Sequence, residues 1–170
     1  SNDVAEMFYQ AKTDSIIKVE INVTADLELT VTPWLGSTGG GEAANGIQIK
    51  ENTLFLASRY ELLSIPIEPD GSAGTPTAIV TIDSDYEFTD MTIVGDHIAI
   101  AAIDRVMENP PATDAKILFI STAPGSEGDI KKTIIIESAE IQPTDLEISP
   151  DGTLIMTDYM NGGIYEISHF

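Results

Sequence analysis

Residues 142–168 read QPTDLEISPDGTLIMTDYMNGGIYEIS, and this stretch decides the fold. A short strand with alternating apolar and polar residues leads to a turn at Asp151-Gly152, and a more apolar strand follows. A second turn at Asn161-Gly162 leads into a third strand. Asp-Gly and Asn-Gly favour tight hairpin turns because these residues tolerate positive φ angles. The stretch therefore predicts three antiparallel strands.

The same pattern occurs twice earlier in the chain, in ANGIQIKENTLFLAS (44–58) and FTDMTIVGDHIAIAA (88–102). Each copy has a polar pair, an alternating strand, a polar turn and a more apolar strand. A third and a fourth strand follow each copy, and the copies begin 44 residues (Asn45 to Thr89) and 55 residues (Thr89 to Thr144) apart. Four-stranded units at this spacing are typical of β-propeller blades.

The sequence thus predicts a single all-β domain, a β-propeller of about three four-stranded antiparallel blades. No stretch of a dozen residues keeps a helical apolar period. Residues 1–33 are interpreted as the end of a blade, with SIIKVEI and DLELTVT as its third and fourth strands. Residues 42–83 and 86–138 form two blades, and residues 140–170 an incomplete last blade. Because closed propellers typically have four to eight blades, we expect half of a six-bladed ring, completed by an upstream segment or a second chain.

Composition excludes several function classes. The net charge of −20, from 28 acidic and 8 basic residues, repels phosphate backbones and anionic lipids, so we expect neither nucleic-acid nor membrane binding. The absence of cysteine excludes thiolate chemistry and Cys-based zinc sites. With only His97 and His169, a Ser-His-Asp site is not expected. Our expectation for location is extracellular or secreted, with the cytoplasm as the alternative.

Residues 15–80 resemble the senescence-marker-protein/gluconolactonase family of regucalcin-like six-bladed propellers. The resemblance rests on a blade ending, a Pro/Gly loop, the strand that begins NGI and the hairpin IPIEPDGSAG, in that order. It extends through FTDMTIVGDHIAIAA and the C-terminal stretch, and so covers most of residues 14–168, which match the C-terminal half of the ring. The PDGTL hairpin is shared with strictosidine-synthase-like and NHL-type propellers.

The resemblance implies one divalent cation on the propeller axis and hydrolysis of sugar lactones. In this family the ligands are a Glu of the first blade, an Asn of an NG turn and an Asp of a DG turn. Asn45 matches the Asn. Alignment of Ile49 with Ile93 places Thr89 at the Asp position and Asp90 one residue later, and the first-blade Glu has no counterpart.

The residues themselves also point to Asn45, Asp90 and Asp145, which start their strands at similar places. A propeller would gather them at one end of its channel, where amide and carboxylate oxygens suit Ca²⁺. The alternative is that they satisfy local backbone groups. The predicted function is a cation-dependent hydrolase of a lactone or ester, with Asp90 as ligand or catalytic base. One alternative is a non-catalytic propeller that binds a ligand or protein; another is a strictosidine-synthase-like propeller.

Overall fold

The structure is a computed structural model that describes residues 4–12, 15–23, 27–36, 44–104, 115–137 and 141–168; for 4–12, 19–23 and 27–29 it gives the backbone alone. Within these ranges every regular element is a β-strand, and no helix is present that could span a membrane. The strands are antiparallel and form four sheets. His169 and the ends of the predicted terminal blades lie outside the described residues.

Each sheet is built from strands that are consecutive in the chain. Sheet A contains β1 (Val4–Lys12), β2 (Ser15–Val23) and β3 (Leu27–Leu35). Sheet B contains β4 (Ala44–Lys50), β5 (Thr53–Ser58), β6 (Glu61–Pro66) and β7 (Thr77–Thr81). Sheet C contains β8 (Tyr86–Val94), β9 (His97–Asp104), β10 (Ala115–Ser121) and β11 (Ile130–Ile136). Sheet D contains β12 (Pro143–Ile148), β13 (Leu154–Asp158) and β14 (Ile164–Ile167).

The sheets stack through apolar side chains on alternate positions of each strand. One face of sheet B packs on sheet A, through Ile16 and Leu54, and the other packs on sheet C, through Leu62 and Phe88. Sheet C packs on sheet D with its remaining face, around Phe119. Side chains of one strand point alternately to opposite faces, so each inner sheet contributes to two cores. The stack is that of propeller blades, and the predicted all-β, partial propeller fold is confirmed.

Sheet A differs from the sequence interpretation. SIIKVEI and DLELTVT form its second and third strands, because β1 pairs with β2 and precedes them. The sequence of β1, VAEMFYQAK, combines the strand formers Val4, Phe8 and Tyr9 with six good helix formers, so propensity alone does not favour a strand. Pairing with β2 outweighs that propensity.

The first strands of the sheets, β1, β4, β8 and β12, share one irregularity. In each of them the pairing with the second strand shifts by one residue near the start, between Val4/Glu6, Ala44/Gly46, Phe88/Asp90 and Pro143/Asp145. Such a β-bulge turns the residues on its two sides to different faces. The bulge therefore decides which side chains at this end of the stack face the next sheet.

Candidate functional site: a carboxyl pair between sheets C and D

The first strands β4 and β8 run side by side in the same direction. Along β4, Asn45 Nδ2 donates to Phe88 O at 2.6 Å and Gln48 Nε2 donates to Met91 O at 3.2 Å. Farther along, Lys50 Nζ donates to the carbonyl of the β8–β9 turn. The strands β8 and β12 also lie against each other. The first strands thus bring their bulges together at one end of the stack, called here the bulge end.

The three predicted site residues occupy two different positions relative to the bulges. Asn45 is the extra residue of its bulge, and its counterparts are Thr89 and Thr144. Asp90 and Asp145 occupy the next position, which in sheet B is Gly46. Asn45 is therefore one residue out of step with the two aspartates. The structure brings all three to the bulge end; the prediction that they bind a metal remains untested.

Asn45 and Thr89 form equivalent hydrogen bonds between sheets. Asn45 Nδ2 donates to Phe88 O, and Thr89 Oγ1 donates to Pro143 O at 2.9 Å. Phe88 and Pro143 precede the bulge in their own strands, so the two contacts are equivalent. We call this hydrogen-bonded contact between the first strands of adjacent sheets a joint. The joint at Asn45 agrees with the alternative in which the amide nitrogen of Asn45 satisfies a backbone group, and it leaves the Asn45 amide oxygen as the possible ligand.

Asp90 lies half-buried between three neighbours from two other sheets. Its Oδ2 accepts a hydrogen bond from Leu146 N at 2.8 Å, and Gly46 packs against it so closely that a Cβ there would stand 3.1 Å from Oδ1. Its carboxyl group also lies near enough to Asp145 for that side chain to act on it as a hydrogen-bond partner and as a like charge. Burial, with the hydrogen bond and the negative charge of Asp145, raises the pKa of Asp90 to about 7, against the opposing effect of the Leu146 N–H.

This arrangement can do two kinds of chemistry. A carboxyl group with a pKa near neutrality exists in both protonation states at physiological pH, so Asp90 can take up and return a proton. The two carboxyl groups and the Asn45 amide oxygen are also hard donors of the kind that Ca²⁺ prefers, and a cation would relieve the repulsion between the carboxylates. The described residues contain no cluster of three His, Cys, Asp or Glu side chains that could hold a metal, so a cation would also need amide, carbonyl or water oxygens.

His97 is no partner for this site. It starts β9, pairs with Val94 and Ser121, and so lies at the far end of β8 from Asp90. No imidazole among the described residues therefore reaches the carboxyl pair.

The sequence does not predict a cleft that lies at the end of the stack opposite the bulges. It encloses about 320 Å³ between sheets B and C. Lys50 spans it and donates to Gly95 O, Asp96 Oδ1 and Thr122 Oγ1 at 2.9, 2.7 and 3.1 Å. Since an ammonium group has three hydrogens, these contacts occupy all its donors, and Lys50 acts as a link between the sheets.

Comparison with known proteins adds evidence on the fold. No family model matches the chain, and no curated protein matches it. A solved protein of unknown function from Bacteroides caccae is similar over 95% of this chain and 53% of its own, with 14% identity and a TM-score of 0.57. A proposed 6-phosphogluconolactonase from Bacteroides fragilis is similar over 98% of this chain and 54% of its own, with 15% identity and a TM-score of 0.48.

The likeness to the Bacteroides caccae protein shows a shared fold, since identity of 14% supports nothing finer. The TM-score of 0.48 for the second protein is too low to transfer its activity. The chain spans about half the length of both solved proteins. Membership of the gluconolactonase family therefore stays a prediction from the sequence.

Proposed function

We propose that this chain carries the acid–base centre of a propeller hydrolase that opens a lactone or ester. The observation that supports this most is the Asp90 carboxyl group, held by Leu146 N–H beside Asp145 with its pKa raised to about 7 by burial and by Asp145. Such a group is suited to general acid–base catalysis near neutral pH, because it can both accept and donate a proton.

In the proposed reaction, ionised Asp90 accepts a proton from a water molecule as the water oxygen attacks the acyl carbon. The acyl C–O bond then breaks, and the leaving oxygen takes the proton back from Asp90. The product is a hydroxy acid from a lactone, or an acid and an alcohol from an ester. The Leu146 N–H keeps the Asp90 carboxylate oriented, because Oδ2 is engaged at 2.8 Å.

A divalent cation, with Ca²⁺ as the first choice, belongs to the same proposal. Asp90, Asp145 and the Asn45 amide oxygen would hold it, and it would supply polarisation of the substrate carbonyl. Asp145 is exposed and so open to both solvent and substrate. Asn45 keeps its carbonyl oxygen for this purpose, since its contact with Phe88 uses only Nδ2.

The test is hydrolysis of sugar lactones and p-nitrophenyl esters by purified protein, followed with and without CaCl₂ across pH 5–9. We expect a rate that rises with an apparent pKa near 7 and falls about 10²–10⁴-fold in Asp90→Asn. The matched control is Asp96→Asn, whose exposed carboxylate binds Lys50 at the opposite end of the stack. Equal rates for wild type and Asp90→Asn would refute the catalytic role.

A specific observation also favours the second candidate, a non-catalytic propeller that binds a ligand or protein. Asn45 and Thr89 donate hydrogen bonds to backbone carbonyls of the next sheet, and Asp90 accepts one from a backbone N–H of the next sheet. Under this alternative the bulge end is structural. It predicts no hydrolysis above the uncatalysed rate for wild type or Asp90→Asn, and no heat when CaCl₂ is titrated into wild type or Asp145→Asn.

A further inference from the structure

The outer face of sheet D is uncovered at positions that are buried in the other sheets. Ile164 is 74% exposed, whereas its counterparts in the pairing register, Leu62 in sheet B and Ile117 in sheet C, are both 0% exposed. Leu62 is covered by sheet C, and Ile117 by sheet D. Ile164 thus has the place of a residue that another sheet covers.

The two joints inside the chain define what such a covering sheet looks like. In each joint the bulge residue of one sheet, Asn45 or Thr89, donates to the carbonyl that precedes the bulge in the next sheet. Between sheets B and C, the turn that follows β5 also contributes a contact. Its Arg59 O accepts a hydrogen bond from Phe88 N at 2.9 Å. The covering element is therefore an antiparallel sheet whose first strand carries the same bulge.

Sheet D repeats the donor half of this joint. Thr144 stands where Asn45 and Thr89 stand, and among the described residues its hydroxyl hydrogen-bonds to the Thr157 hydroxyl of the same sheet, at 3.2 Å. Tyr159 and Met160, which correspond to the turn residues of sheet B that touch sheet C, are 75% and 51% exposed. Together with Ile164 they form an apolar strip, which we call the Ile164 strip.

Sheet A repeats the acceptor half at the opposite end of the stack. Its first strand, β1, carries the bulge between Val4 and Glu6. One face of sheet A covers sheet B through Ile16, and on the other face Val31 is 58% exposed. The chain therefore holds both halves of one further joint, on two faces that sheets B and C separate.

We propose that sheet D of one copy docks on sheet A of a second copy, with the Ile164 strip at the centre of the joint. This inference does not depend on the hydrolase proposal. Two identical joints would close a ring of eight sheets, within the range that propellers occupy. Asp145, Glu147 and Glu166 share the docking face, and each copy has a net charge of −20, so the pairing should strengthen as salt screens the repulsion.

The experiment is sedimentation equilibrium of the full chain at low and high NaCl, with wild type, Ile164→Glu and Ile135→Glu. Ile135 is 54% exposed on β11, outside the docking face, and so is a matched control. We expect a dimer that is tighter in high salt, weakened at least about 30-fold by Ile164→Glu and unchanged by Ile135→Glu, since one buried Ile side chain is lost from the joint. Circular dichroism should show both variants folded.

Three results would overturn the proposal. Wild type could remain a monomer at every concentration in high salt. The two variants could weaken association equally, which would make the effect one of net charge. Open-ended oligomers could form in place of a dimer, which would contradict the closed pair.

Discussion

The stability of Asp90→Asn relative to that of wild type should be greater at pH 8 than at pH 5. Between pH 4 and pH 7 the folded protein keeps a proton on Asp90 that the unfolded chain releases, because burial and Asp145 raise the pKa of Asp90 from 3.8 to about 7. Wild-type stability therefore falls as pH rises through this window. Asparagine carries no charge, so the variant lacks this loss.

The size of the effect follows from the pKa. A rise of the Asp90 pKa from 3.8 to about 7 corresponds to about 4 kcal/mol of stability for a fully buried group. Asp90 is only half-buried, and solvent screening reduces this to about 2 kcal/mol. For a chain of 170 residues that is a difference in Tm of about 4–8 °C. The Asn side-chain oxygen can still accept the Leu146 N–H, so the hydrogen bond itself is kept.

The assay is thermal unfolding followed by circular dichroism at pH 4 to 9. The Tm of Asp90→Asn minus that of wild type should rise between about pH 4 and pH 7 and level off above about pH 7. Asp70→Asn is the control, because a hydrogen bond from Ser72 holds the pKa of Asp70 below its ordinary value, so its curve should run parallel to wild type above pH 5. A constant difference for Asp90→Asn across the range would refute the burial argument.

Three further changes test the packing and the joints. Gly46→Ala places a Cβ 3.1 Å from Asp90 Oδ1 and should cost about 1–3 kcal/mol in urea unfolding, whereas Gly36→Ala, with no atom of the described residues within 4 Å of its new Cβ, should change stability little. Leu62→Ala should cost about 2–5 kcal/mol, because Leu62 is 0% exposed in the core between sheets B and C. Asp158→Ala removes the carboxylate that accepts hydrogen bonds from the N–H groups of Gln142, Met160 and Asn161, and should lower the Tm more than any exposed Asp→Ala change; equal losses would contradict its structural role.

The sequence was sufficient for most of the fold because its turns are explicit. Asp151-Gly152 and Gly95-Asp96 fall between runs of β-branched residues, so hairpins follow from local chemistry alone. Strand β1 lacks such a run and is held by its pairing with β2, which the local sequence does not encode. Local signals therefore predict the hairpin turns and the β-branched strands well, and a strand that depends on pairing with its neighbour poorly.

The site was only partly predictable for the same reason. The polar pairs Asn45-Gly46, Thr89-Asp90 and Thr144-Asp145 marked the right end of the stack. A bulge has no sequence pattern strong enough to show which residue of a pair is the extra one. The neighbours that change the pKa of Asp90 come from another sheet, more than fifty residues along the chain, so only the tertiary structure reveals its chemistry.

The outer edge of sheet C is a place where a further strand could add. Among the described strands, β11 pairs only with β10, and an edge of this kind can template another strand, since Ile130 and Ile135 are 50% and 54% exposed. Two of the chain's eight basic residues, Lys131 and Lys132, stand side by side on this strand and are exposed. Charged side chains on an edge oppose the addition of a further strand, so we expect these two lysines to oppose aggregation at this edge.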